Sequence, residues 1–195
     1  MPLGAFKAAL MGTAGVSTAD VVLLSSTTAS DDASVSITSG INSTYGEYIF
    51  KFYSINPATD DAHFGFQVST DGGSSYGVAI TSTAFAALHE EDDGSDFFYA
   101  TGEDLANGTG YQRIMNEMSN AADSGGAATL HLFNPASTTY VKYFYSQGNF
   151  YVGSNANSHQ IVGGYINTTT AIDDIQFKMS SGNINAGTIK MYGIK

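Results

Sequence analysis

The feature that most constrains the fold is a two-residue alternation of apolar and polar side chains, which dominates the chain from residue 47 onward. In AHFGFQVST, Phe64, Phe66 and Val68 fall on one face of an extended segment, and the residues between them fall on the other. The segment IDDIQFKMS near the end repeats the pattern. Because successive side chains of a β-strand point to opposite faces, the alternation predicts strands that each bury one face.

Segments of this kind recur about ten times at spacings of roughly 8 to 14 residues, most of them ending near Gly, Asn, Ser or Pro. The pattern predicts an all-β fold, an antiparallel β-sandwich that is jelly-roll-like. The dipeptides within Asp71-Gly72-Gly73 predict a hairpin turn followed by a returning strand. TTYVKYFYS and NFYVGS read as separate segments, whereas TAFAALHEE and YQRIMNEM are ambiguous between a strand and a short helix.

The core is expected between two sheets, where the inward-facing apolar residues of the alternating segments meet. The predicted core residues are Phe50, Phe52, Phe64, Phe66, Leu130, Leu132, Ile175, Phe177, Ile189 and Met191.

The chain has 195 residues, a length that suits one domain with a sizeable core. We predict an N-terminal arm over residues 1–24 and a single β-sandwich domain over residues 25–195, with its strands from about residue 35. The arm holds Leu3, Phe6, Leu10 and Met11 but shows neither sustained alternation nor helix caps. It is expected to pack against a neighbouring subunit or against the surface beneath the subunit, although its last apolar patch, Val21–Leu24, is also compatible with a strand.

Charge and composition argue against several classes of function. The net charge is −11 with only seven Lys and Arg residues, which disfavours binding to nucleic acid and to anionic membranes. No apolar run approaches the roughly 20 residues of a membrane-spanning helix. The chain has no cysteine, so disulfides and thiolate chemistry are excluded. Phosphate-binding loops are also missing, and no cofactor is predicted.

The acidic run HEEDDGSD, residues 89–96, is the most conspicuous candidate site. Counted from Glu90, the third and fifth positions are Asp92 and Gly94, so the spacing of an EF-hand calcium loop fails. Crowded like charges favour an exposed loop, and a cluster this hydrophilic is poorly suited to raise a carboxyl pKa by burial. We interpret the run as a solvated loop, with weak calcium binding and a catalytic carboxylate as the alternatives.

Catalytic motifs give no further candidate. G-x-S-x-G and H-E-x-x-H do not occur, and the four histidines carry no local signature. His63 and His131 are expected on outward strand faces, exposed or in a subunit contact. We therefore predict that the protein is not an enzyme, and we assign no catalytic, cofactor-binding or metal-binding residue.

Aromatic residues cluster in TTYVKYFYSQGNFYVG, where alternation must place some of them outside the core. Three interpretations stay open: ordinary surface tyrosines, an oligomer interface and a platform for glycans. The aromatic residues concerned are Tyr140, Tyr143, Phe144, Tyr145, Phe150 and Tyr151.

Several stretches together resemble a family of small virion structural proteins from tailed phages of aquatic bacteria, of the kind found in cyanophages and pelagiphages. The N-terminal half of that family is similar to TYGEYIFKFYSINPATDDAHFGFQVSTDGGSSYG, and its central and C-terminal parts are similar to LHLFNPASTTYVKYFY and AIDDIQFKMSSGNINAGTIKMYGIK. The resemblance also includes the opening MPLGAFKAALMGTAGV and thus covers nearly the whole chain.

The resemblance implies a location in the virion, contacts with major capsid or tail proteins, and a homo-oligomer such as a trimer. It does not fix the place in the particle. An exterior capsid-decorating or cementing protein is the first expectation, and a tail or fibre component that contacts a receptor or glycan on the host surface is the second. An enzyme such as a polysaccharide depolymerase is the third.

Overall fold

A computed structural model describes residues 21–153 and 155–195. Residues 1–20, which hold most of the predicted arm, lie outside the described residues, so the arm stays a prediction. The described part is all-β and antiparallel, as predicted, and contains no helix long and apolar enough to cross a membrane. Its strands are β1 (Val21–Asp32), β2 (Val35–Ile37), β3 (Glu47–Pro57), β4 (Ala62–Ser69), β5 (Ile80–Glu90), β6 (Ser95–Tyr99), β7 (Gln112–Met118), β8 (Gly126–Phe133), β9 (Lys142–Val152), β10 (Ala156–Ile166), β11 (Asp174–Met179) and β12 (Ile184–Ile194).

Eight of the strands pair like one long hairpin folded onto itself. Taken in chain order, these eight are β1, β2, β3, β4, β7, β8, β11 and β12. The first pairs with the last, the second with the seventh, the third with the sixth and the fourth with the fifth. Two sheets result, β1-β12-β3-β8 and β2-β11-β4-β7. This pairing is that of a jelly roll, as the sequence led us to expect.

Two inserted hairpins enlarge one of the sheets. The β5–β6 hairpin lies between β4 and β7 in the chain, and the β9–β10 hairpin lies between β8 and β11. Their strands continue the first sheet in the order β8-β9-β10-β5-β6, so it has eight strands, whereas the second has four. We call β9, β10, β5 and β6 the extension. Strand pairing connects the two sheets at one pair of residues, Met118 of β7 and Val152 of β9.

The core lies between the two sheets and is rich in phenylalanine. The Phe52 ring of the large sheet packs against Phe64 and Phe177 of the small sheet, with ring centroids 5.2 and 5.0 Å apart. Phe66 and Phe144 meet in the same way, 5.2 Å apart. All ten core residues predicted from the alternation are buried, so that prediction is confirmed.

The start of the sheet differs from the expectation. Strand β1 pairs with β12 from Val21 to Asp32, so the sheet begins well before residue 35. Val21–Leu24, placed in the arm, belong to this strand. The pairing runs along an exposed edge, where polar side chains such as those of Ser26 and Thr28 need no burial, and this explains why the strand shows little alternation.

The predicted hairpin at Asp71-Gly72-Gly73 is wrong. These residues do form a turn, and the Asp71 carboxylate accepts hydrogen bonds from the Ser69 and Ser75 hydroxyls. The next strand, β5, then leaves to join β10, while β4 pairs with β7 and β11. Turn residues specify a local reversal of the backbone, and here the loop is long enough to carry the chain to the other sheet.

The two segments predicted on either side of residue 148 form one strand, β9. Gly148 is not a turn residue there. A Cβ atom at this position would lie 2.8 Å from the Cβ atom of Ala128 on the neighbouring strand, so glycine permits a close approach between β8 and β9. The ambiguous segments TAFAALHEE and YQRIMNEM are strands as well, within β5 and β7.

Candidate interaction face

The acidic run forms the tip of the β5–β6 hairpin. Strand β5 ends at Glu90 and β6 begins at Ser95, so the residues between them make an exposed turn, as predicted. The Asp93 side chain is 98% exposed and lies 3.7 Å from the His89 ring across the turn. Within residues 21–153 and 155–195, no group of three or more His, Asp or Glu side chains is arranged to hold a metal ion.

The histidines are held by different partners. His63 of β4 is half-buried and accepts a hydrogen bond from the Glu117 backbone N–H at 3.0 Å. Burial, followed by the charge of Arg113, lowers the pKa of His63. His131 of β8 points outward as expected but is mostly covered, because it pairs with Glu47 and stacks on Tyr145 with ring centroids 4.4 Å apart.

The outer face of the large sheet carries most of the exposed aromatic side chains. Cross-strand pairing brings residues from distant parts of the chain into rows, such as Tyr99, Phe85 and Ile161 on β6, β5 and β10. A second row joins Tyr145 of β9 to His131 of β8. We call the outward residues of β8, β9, β10, β5 and β6 the aromatic face.

Ring contacts connect the members of this face. Phe85 meets Tyr99 edge-on at 5.3 Å and lies parallel to Phe97 at 6.4 Å. Tyr143 and Tyr165 meet at 6.3 Å on the adjacent strands β9 and β10. These geometries are the offset and edge-to-face arrangements that aromatic pairs prefer. The face is therefore an ordered surface rather than a set of scattered side chains.

The aromatic face has no formal charge at neutral pH. None of the described residues that point outward from these five strands is Asp, Glu, Lys or Arg, although the chain has 18 acidic residues. Its polar members are hydroxyls, amides and histidines, among them His159, whose ring nitrogen lies 2.9 Å from the Asn149 side-chain oxygen. At the rim, the hydrogen bond from Tyr99 to Asp104 raises the pKa of Tyr99.

The sequence predicted part of this face. Among the six aromatic residues of the central cluster, Phe144 and Phe150 are buried, whereas Tyr140, Tyr143 and Tyr145 are exposed. Phe85, Phe97 and Ile161 were not predicted from the sequence to belong to an exposed aromatic cluster. A signal was present in DFFYAT, where consecutive aromatic residues on one strand must point to opposite faces. That these residues adjoin Tyr145 depends on strand order, which no local pattern contains.

Comparisons with known proteins give little further information. No protein-family model matches the chain, and no curated protein matches it. A structure of infectious bursal disease virus, Gx strain, is 13% identical with a TM-score of 0.15, and the match covers 89% of this chain and 39% of that chain. An aerolysin-like protein from Bombina maxima is 8% identical with a TM-score of 0.13, over 82% of this chain and 92% of that chain. Similarities this low carry no argument about fold or function.

Proposed function

We propose that the protein is a structural component of a phage virion, a decorating or cementing protein on the capsid exterior, and that its copies assemble through the aromatic face. The observation that carries the assembly between copies is the aromatic face itself. Exposed clusters of large aromatic side chains mark interaction sites, and Tyr and Phe are enriched in the centres of protein interfaces.

The charge distribution favours a second copy of this chain as the occupant. Each copy has a net charge of −11, so two copies repel one another across most of their surfaces. The aromatic face is uncharged, and pairing it with the same face of another copy buries no charged group from the five strands. Such self-complementary contacts are the commonest way in which identical chains associate.

The size of the face also suits a stable contact. Five strands about 4.8 Å apart, each contributing about nine residues at 3.4 Å, span an area of roughly 700 Å². A standard protein–protein interface buries about 800 Å² on each partner. The footprint of the face is thus close to the size of a standard interface.

The location in a virion rests on the sequence resemblance and on composition. The chain lacks cysteine and so needs no disulfide to fold in a reducing host cytoplasm. Its other partners would be major capsid proteins or, for a tail component, tail proteins.

The test is the copy number and position of the chain in purified particles of the phage that encodes it. Quantitative mass spectrometry against the major capsid protein, together with a cryo-EM reconstruction, gives both. We expect hundreds of copies on the outer capsid surface. A few to a few dozen copies with density at the tail would contradict the capsid location in favour of the tail or fibre alternative. Absence from the particle would overturn the proposal.

A further inference from the structure

Two lysines lie directly opposite each other beside the aromatic face. Lys51 of β3 pairs in register with Lys190 of β12, and both side chains point outward, because the alternating neighbours Phe52 and Ile189 are buried in the core. Lys51 is exposed, and the Lys190 ammonium lies 5.5 Å from the centroid of the Tyr53 ring. Like charges in directly opposed positions destabilise a pair of strands, so this arrangement favours an anionic partner.

No carboxylate within residues 21–153 and 155–195 neutralises the pair. Three ion pairs form among these residues, and neither Lys51 nor Lys190 takes part in any of them. The buried Lys142, by contrast, donates hydrogen bonds to the carbonyl oxygens of Thr168 and Thr170. The chain has only seven Lys and Arg residues against 18 Asp and Glu residues, so two neighbouring lysines without a carboxylate are an unusual use of its cations.

The surface next to the lysine pair is concave. A depression of about 270 Å³ lies where β3, β8 and β9 adjoin, and its lining includes Lys51, Tyr53 and, from β10, His159. The Thr129 hydroxyl and the Asn149 amide belong to the same lining. Ammonium, amide and hydroxyl groups all donate hydrogen bonds to carboxylates. The depression therefore offers acidic side chains both space and donors.

The acidic turn at the tip of the β5–β6 hairpin carries such side chains, but within one copy it is too far away. Lys51 is level with Phe85 of β5 in the strand register, four strands along the sheet, and Glu91 lies six residues beyond Phe85. At about 4.8 Å per strand and 3.4 Å per residue, the separation is roughly 25 to 30 Å. A contact between the turn and the lysine pair therefore joins two copies.

A twofold arrangement of two aromatic faces brings these groups together. The midpoint between the lysine pair and the acidic turn lies over β9 and β10, in the middle of the aromatic face. A twofold axis through this point places the turn of each copy over the lysine pair of the other, so the contact forms twice. Sheets packed face to face are about 10 Å apart, and the long lysine side chains extend into that gap.

We propose that Lys51 and Lys190 bind the acidic turn of a second copy and thereby set the register in which two aromatic faces meet. Complementary charges at the margin of an interface fix orientation in this way, whereas the uncharged face alone allows several registers. The inference rests on the proposed association through the aromatic face and adds its orientation and a second pair of contacts.

The test is charge reversal, followed by sedimentation equilibrium of the full chain. One variant carries Lys51→Glu and Lys190→Glu, and the other carries Glu91→Lys and Asp92→Lys. Each variant alone should associate at least tenfold more weakly than the unmodified protein, because like charges then meet at both contacts. An equimolar mixture of the two should regain the association, because both contacts of a mixed pair join opposite charges.

The matched control carries Glu117→Lys and Asp123→Lys, which give the same net charge as the turn variant at exposed positions outside the aromatic face. Mixing this control with the lysine variant should not restore association, and all variants should keep the melting temperature within a few degrees. Unchanged association of the reversal variants, or equal rescue by the control, would overturn the lysine contact and leave the aromatic face as the interface. A monomeric unmodified protein would overturn both.

Discussion

Phe97 and Phe98 are adjacent on β6 and lie on opposite faces of the extension. Phe97 is 72% exposed and stacks on Phe85 in the aromatic face, whereas Phe98 lies in the wall of a cleft of about 610 Å³ on the inner side of the extension. If the aromatic face is the contact between copies, Phe97→Ala should weaken self-association in sedimentation equilibrium, whereas Phe98→Ala should leave it unchanged. Equal weakening by both substitutions would argue against two distinct surfaces.

Phe64→Ala should lower the free energy of unfolding by about 3 to 5 kcal/mol. The ring is fully buried and packs against Phe52 of the large sheet and Phe177 of its own sheet, so its removal leaves a cavity that close-packed neighbours cannot fill. Urea titration followed by circular dichroism measures the change. A loss below about 1 kcal/mol would contradict the packing described for this face of β4.

Calcium should leave the melting temperature nearly unchanged. The acidic turn is exposed and its carboxylates are not gathered into a ligand set. A ligand that binds only the native state must stabilise it, so tight binding would raise the transition. Differential scanning fluorimetry with millimolar calcium, compared with EDTA, makes the measurement. A rise of about ten degrees or more would show that the turn, or another part of the chain, holds the ion.

The stability of the protein should respond to pH through Glu103. Burial raises the pKa of this carboxyl, against the opposing effect of Arg113, and the charges of Glu117 and Asp104 raise it further. The folded state then binds the proton more tightly than the unfolded state. The resulting contribution of Glu103 to the free energy of unfolding is fully present below the unfolded pKa. It is lost as the pH rises through the folded pKa.

Glu103→Gln removes that titration. The free energy of unfolding of the unmodified protein, minus that of Glu103→Gln, should therefore fall as the pH rises from about 4 to about 7. Urea titrations across this range measure the difference, and Glu91→Gln at the exposed hairpin tip is the control. A difference that grew with pH would mean that the folded state favours the charged carboxylate, contrary to its burial.

The alternation of side chains was sufficient to predict the fold class and the core, because it is a local consequence of strand geometry. It gave the inward residues of β3 and β4, and it required some aromatic residues of the central cluster to lie outside the core, as Tyr143 and Tyr145 do. Strand partners were not predictable in the same way. The turn at Asp71 looked like a hairpin, yet β5 pairs with the distant strand β10. The paired residues are far apart in sequence, as Ile80 with Ile166 and Glu90 with Ala156 show.

The cleft was missed for a related reason. Glu103, which lines the cleft, lies in TGEDLANGTG, a stretch that looks like a polar connector, and its burial comes from packing beside Arg113 and Gln112. A weak signal did exist in β10, where Ser158 and Gln160 occupy the inward positions that alternation reserves for apolar residues. These polar residues at inward strand positions were the sequence signal that indicated a cleft.

The most direct test of the account is sedimentation equilibrium of the full chain, compared with two single-charge variants. Ile161→Asp places a carboxylate on β10, the central strand of the aromatic face, whereas Ser181→Asp adds the same charge at an exposed turn elsewhere. We predict that the unmodified protein and Ser181→Asp associate at tens of micromolar, and that Ile161→Asp is at least tenfold weaker in self-association, because the charge would be buried unpaired. A monomeric unmodified protein, or equal association of all three, would contradict the assignment of the aromatic face as the contact between copies.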